Sequence, residues 1–173
     1  MILVKHMMAV AMVGAVSGYG MVANAGNSDQ TFQELTQLAG QWQGKLDKSD
    51  GTSVDLKLTY TIKSNGSALL EESSEDDVDM MNIFNVQQGT VVSTHYCGLM
   101  NKPVARLVSA EDGVIRLETD ATESGLVEGE DAYVDSWTLS LMPEDADRFK
   151  YEYTVIQPDK TVITASAVVT RVE

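Results

Sequence analysis

The segment His95-Tyr96-Cys97, followed closely by Asn101-x-Pro103, brings an imidazole, a thiol and a carboxamide into one short stretch. Three kinds of chemistry are open to such a set. Imidazole serves as a general base or as an axial haem ligand, and a thiol serves as a nucleophile when a base lies within hydrogen-bond reach. The same groups can orient a small ligand inside an apolar cavity. One histidine and one cysteine are too few for a metal centre, and no serine elbow, phosphate-binding loop or paired ligand spacing appears. Cys97, the single cysteine, cannot form an intramolecular disulfide, so it reads as a small buried residue or as a reactive thiol.

The elements that must position these groups are strands. Val54, Leu56, Leu58, Tyr60 and Ile62 alternate with Asp55, Lys57, Thr59, Thr61 and Lys63, giving one apolar and one wet face. Similar runs are predicted at 42–48, 67–73, 78–87, 90–97, 103–109, 113–119, 133–142, 148–156 and 161–171. Asn65-Gly66, Gln88-Gly89, Asp112-Gly113 and Pro158-Asp159 punctuate them. Before the first run, Phe32, Leu35, Leu38 and Ala39 recur at helical spacing; Asp29 is placed to cap that helix and Gly40 to end it. The reading is an all-β closed antiparallel up-and-down barrel of about 8–10 strands with a short N-terminal helix. The acidic stretch 120–132 is its one long connection, expected as a solvated loop or as a lid over a barrel mouth.

Turn registers turn the sequence into a list of faces. A two-residue turn at Asn65-Gly66 sets Ile62 opposite Leu69 and Tyr60 opposite Glu71. Glu71 then shares the apolar face and Glu72 the wet one. A turn at Gln88-Gly89 sets Phe84 opposite Ser93, Asn82 opposite His95 and Met80 opposite Cys97. Tyr60, Glu71, Asn82 and His95 thus become the inward polar groups, with Leu56, Leu58, Met80 and Phe84 as apolar wall. A one-residue slip would reverse every one of these assignments.

Composition bounds the partners. The chain has 12 basic and 26 acidic side chains, a net −14. A charge of that sign argues against nucleic acid and anionic membrane surfaces, both of which need a basic footprint. Residues 1–25 read as a cleavable targeting segment: Lys5 and His6 open it, Met7 to Val16 form a short apolar run, and Ala23-Asn24-Ala25 supplies the small residues a signal peptidase requires. The run is far short of the roughly 20 residues needed to span a bilayer. The domain is therefore expected to be 26–173, periplasmic or secreted. Intact-mass measurement of exported protein should return a chain starting at Gly26; retention of residues 1–25 would refute the assignment.

Gly40-Gln41-Trp42, opening the first strand after a short helix, resembles the Gly-x-Trp element of the lipocalin and fatty-acid-binding superfamily. That resemblance implies an arginine from the last strand packed over the tryptophan, and Arg171 is the candidate. Leu38-Ala39-Gly40-x-Trp42-x-Gly44, Gly66-Ser67-Ala68-Leu69-Leu70-Glu71 and His95-Tyr96-Cys97 with Asn101-x-Pro103 look more closely like an uncharacterised bacterial family of lipocalin-like barrels. The resemblance spans roughly 32–171 and implies a closed barrel, with no activity attached.

The functional expectation is an exported barrel, non-enzymatic, holding a small hydrophobic or amphipathic ligand, with Tyr60, Glu71, Asn82, His95, Cys97 and Asn101 as binding residues. No cofactor is required by this reading. The alternatives are a haem barrel ligated through His95, an enzyme using Glu71 and His95 as acid and base, and a purely structural polar core. Oligomeric state is left open by the sequence.

Overall fold

The computed structural model describes residues 25–172. The expected targeting segment lies outside the described residues apart from its last position. A helix, α1 (Ala25–Thr36), precedes ten strands: β1 (Gly40–Lys48), β2 (Ser53–Lys63), β3 (Ala68–Glu75), β4 (Val78–Gln87), β5 (Thr90–Tyr96), β6 (Val104–Glu111), β7 (Val114–Thr119), β8 (Tyr133–Leu141), β9 (Arg148–Ile156) and β10 (Val162–Arg171). Each strand pairs antiparallel with its sequence neighbour, and β1 closes on β10, so the sheet is a complete up-and-down barrel. Closure leaves no unpaired edge to recruit another chain.

Turn chemistry sets the registers. Asn65, Gln88 and Asp112 all have positive φ, each followed by a positive-φ glycine, the backbone a tight right-twisted hairpin demands. Ile62 lies opposite Leu69 and Tyr60 opposite Glu71. Phe84 lies opposite Ser93 and Asn82 opposite His95. Both expected registers are present, and with them the division into an inward and an outward face: Glu71 is buried and Glu72 exposed.

Two bulges interrupt this regularity, between Leu107 and Ser109 and between Val134 and Ser136. Strict alternation back from Trp137 would send Asp135 inward. The second bulge breaks the alternation, so Val134 joins the core and Asp135 is only half-buried.

The helix departs from expectation at both ends: it stops at Thr36, and Gly40, expected to end it, is the first residue of β1. Asp29 lies inside α1, four residues past its first residue, and does not cap it. Phe32, Leu35 and Leu38 are buried against the barrel, with α1 packed on β4, β5 and β6. The end carrying α1 is also where β1 begins and β10 ends. There Trp42 sits edge-on to Phe149 at 4.8 Å between ring centroids and donates from Nε1 to the Leu38 carbonyl at 2.8 Å. The Arg171 guanidinium lies 4.1 Å above the Trp42 ring and donates to the Ala39 carbonyl at 2.9 Å. Gly40 is required beneath it, since a Cβ there would fall 2.5 Å from Arg171 Nη1 and φ is +136°.

The 120–132 connection is folded, neither a free loop nor a lid. Asp120 caps a short helix, α2 (Ala121–Ser124), and Gly125 ends it in the left-handed conformation. Ser124 Oγ accepts from the Val104 amide at 2.8 Å, and Glu123 holds Arg106 through two hydrogen bonds. These contacts fasten the connection to the outer side of β6.

Candidate functional site

The interior is layered along the barrel axis. At the α1 end lie Trp42, Phe149, Leu69 and Phe84, all fully buried. Above them, a transverse polar row crosses four adjacent strands: Tyr60 on β2 pairs with Glu71 on β3, Glu71 with Asn82 on β4, and Asn82 with His95 on β5. Above the row a chamber of about 550 Å³ opens at the opposite end, among the β1–β2, β3–β4, β5–β6 and β9–β10 connections.

All four members of the polar row are buried, Glu71 and Asn82 at 0 % exposure and His95 at 3 %. Glu71 Oε1 accepts from Tyr151 Oη at 3.2 Å, a contact reaching across the lumen from β9. Asn82 Oδ1 accepts from Ser93 Oγ at 2.5 Å. Each member nevertheless keeps one polar atom without a partner: Tyr60 Oη, Glu71 Oε2, Asn82 Nδ2 and His95 Nδ1. The Tyr60 hydroxyl is close enough to the Glu71 carboxyl to favour its anion, so these two groups partly serve one another. Buried polar atoms are ordinarily paired, so the unsatisfied Asn82 Nδ2 and His95 Nδ1 in one row are unusual for a purely structural core.

Burial dominates the proton affinities. The Glu71 carboxyl is pushed up to about 7 because desolvation penalises its anion, with Tyr60 and Tyr151 only partly offsetting this. The His95 imidazole is pushed down to about 4 by the same cause acting on a cation. Its ring stands edge-on to Trp137 at 5.2 Å. Near neutral pH His95 is therefore uncharged. No hydrogen bond joins it to Glu71 among the described residues; Asn82 stands between them.

The chamber takes its apolar wall from Val54, Met80, Leu99, Val134, Trp137, Val155 and Ile163. Of the expected wall residues only Met80 lines it. Leu56, Leu58 and Phe84 belong to the closed core. Of the expected binding residues, His95 and Cys97 line the chamber, whereas Tyr60, Glu71 and Asn82 lie deeper and meet it through Tyr151 and His95.

Asn101 does not line the chamber. Its Nδ2 donates to the Ala132 carbonyl at 2.8 Å, tying the β5–β6 loop to the 120–132 connection. Pro103 O accepts from the His95 amide at 2.9 Å and Asn101 O from the Cys97 amide at 3.1 Å. The Asn-x-Pro element thus fixes the loop that holds Cys97 at the mouth. Burial pushes the Cys97 thiol up, away from the thiolate needed for nucleophilic attack.

Several site residues were missed from the sequence. Glu75 accepts from Lys48 Nζ at 2.6 Å and from Tyr153 Oη at 2.8 Å, forming a polar clasp at the mouth. Tyr151, Tyr153 and Trp137 complete the aromatic lining. Parity could have found some of them: Glu75 lies four residues from Glu71 on one strand, and Tyr153 two from Tyr151. Which strands meet across the lumen carries no such local signal.

This fold and chamber define a closed ten-strand antiparallel β-barrel with a cavity opening at the end opposite α1. No family model and no curated protein matches the chain. Among solved structures it is similar to a protein of unknown function from the DUF3598 family of Nostoc punctiforme, with TM-score 0.58 and 11% identity over 80% of this chain. The match covers 48% of that protein, so the chain spans about half the length of this relative. Two redesigned β-barrels are also similar. One has TM-score 0.41, 14% identity and coverage of 80% of this chain and 94% of its own. The other, mFAP1 bound to DFHBI, has TM-score 0.38, 12% identity and coverage of 79% and 96%. Identities this low speak to the fold alone.

Proposed function

We propose that the chain is an exported, lipocalin-like barrel that binds one small amphipathic molecule in the chamber above its polar row. The observation that carries this is the chamber itself. Its volume of about 550 Å³ lies within the roughly 300–1,000 Å³ of small-molecule sites, and apolar walls with a few convergent polar groups are their usual lining. Binding is favoured over turnover because the two candidate groups that line the chamber are not activated, the Cys97 thiol being pushed up and His95 pushed down, while Glu71, raised to about 7, is fully buried and does not line it. The Gly40-x-Trp42 element with Arg171 above the ring supports the lipocalin-like reading. The apolar N-terminal run supports export.

Native mass spectrometry of freshly purified protein, compared with its denatured mass, is expected to show a bound small molecule. Stripped protein should bind the neutral dye Nile red saturably at one site, and Val155→Trp, which fills the chamber, should abolish that binding. Protein with no adduct and no saturable dye site would refute the reading. A haemin absorption band that requires His95 would replace it with an iron porphyrin in the same chamber.

A further inference from the structure

We propose that the chamber selects an organic cation, an amine whose ammonium lies at the mouth against Glu75 and whose apolar body runs inward over Trp137. This rests on the binding function proposed above and adds the charge of the ligand. Four acidic residues line the chamber, Asp50, Glu75, Asp76 and Asp77, against one basic residue, Lys48; Asp50 also accepts from Thr52 and Asp76 from the Asp55 amide. Lys48 is already committed to Glu75 at 2.6 Å. A mouth lined by one sign of charge above low-dielectric walls concentrates ions of the opposite sign, and the chain's net −14 adds to that field.

An anionic head group would meet those four acidic residues, and its only cationic partner would first have to leave Glu75. A neutral head group fits the walls but gains nothing from the charge. An ammonium gains twice. Glu75 accepts it alongside Lys48 and Tyr153, and Tyr153, which lines the mouth beside Glu75, supplies an aromatic ring within a partly desolvated space. Independently of the acidic rim, His95 lines the same chamber at 3 % exposure with Nδ1 unpartnered. A buried polar atom that the fold leaves unsatisfied marks the chamber as a built site.

Three probes sharing one apolar body separate the possibilities: 1-naphthylmethylamine, 1-naphthylmethanol and 1-naphthylacetate, titrated calorimetrically into stripped protein. The amine is expected to bind about tenfold more tightly than the alcohol, with the carboxylate weakest, and that preference should shrink as ionic strength is raised. Glu75→Gln should remove most of the amine's advantage over the alcohol. Lys48→Met, which frees Glu75, should strengthen amine binding. Equal binding of all three probes, or preference for the carboxylate, overturns the cation assignment while binding itself stands. Failure of all three, together with no Nile red site, overturns the binding function.

Discussion

Trp42→Ala should destabilise the barrel by about 3–5 kcal/mol, the cost of truncating a fully buried large aromatic. The ring is 2 % exposed, so removing it opens a cavity beside Phe149. The Leu38 carbonyl simultaneously loses its donor, and the Arg171 guanidinium loses the surface on which it lies. Arg171 also donates from Nη1 to Ala39 and from Nη2 to Gln37, at 2.9 and 3.3 Å. Lysine cannot reproduce that planar fork, so Arg171→Lys should cost about 1–2 kcal/mol. Urea unfolding with an unchanged m-value measures both. A cost below about 1 kcal/mol for Trp42→Ala would show that the α1 end is not sealed by this contact.

Stability should be nearly flat between about pH 4.5 and 6.5, because two buried groups oppose one another there. Glu71 has its folded pKa raised from 4.5 to about 7. Its contribution is therefore complete below about pH 4.5 and is lost as pH rises to about 7, a change of about 3 kcal/mol. His95 has its folded pKa lowered from 6.5 to about 4. Its contribution is complete above about pH 6.5 and is lost as pH falls to about 4, again by about 3 kcal/mol. The two slopes have opposite sign and overlap.

Glu71→Gln should expose the His95 slope, so that this variant loses stability steadily on acidification from pH 6.5. His95→Gln should expose the Glu71 slope and gain stability over the same interval. Glu72→Gln, on the exposed face of the same strand, should behave as the parent. A Glu72→Gln variant that reshaped the curve of stability against pH, with Glu71→Gln silent, would mean the register is displaced by one residue.

Much of this polar row was legible beforehand because strand parity and hairpin turns are local. The side-chain period of two depends only on the backbone, and a type I′ turn fixes which residues face each other across a hairpin. Asn65-Gly66 and Gln88-Gly89 were therefore enough to place Glu71 inward, Glu72 outward and His95 opposite Asn82. The helix start was read less well. Propensity for a cap at Asp29 is a weak local preference, and the observed helix runs through that position.

From its own residues, then, the chain determined an antiparallel barrel of about 8–10 strands, the inward faces of β2 to β5, and the pairing of Gly40-x-Trp42 with a late arginine as a family resemblance. Only the tertiary structure decided what those faces meet. Tyr151 reaches Glu71 and Tyr153 reaches Glu75 across about eighty residues of sequence, the separations being 80 and 78, because β9 and β3 confront each other once β1 closes on β10. The bulge at Asp135 brought Val134 into the chamber, which strict alternation would not have allowed. Contacts within a hairpin follow from local geometry; contacts across the lumen depend on the closure and stagger of all ten strands together, and no short stretch of sequence encodes them.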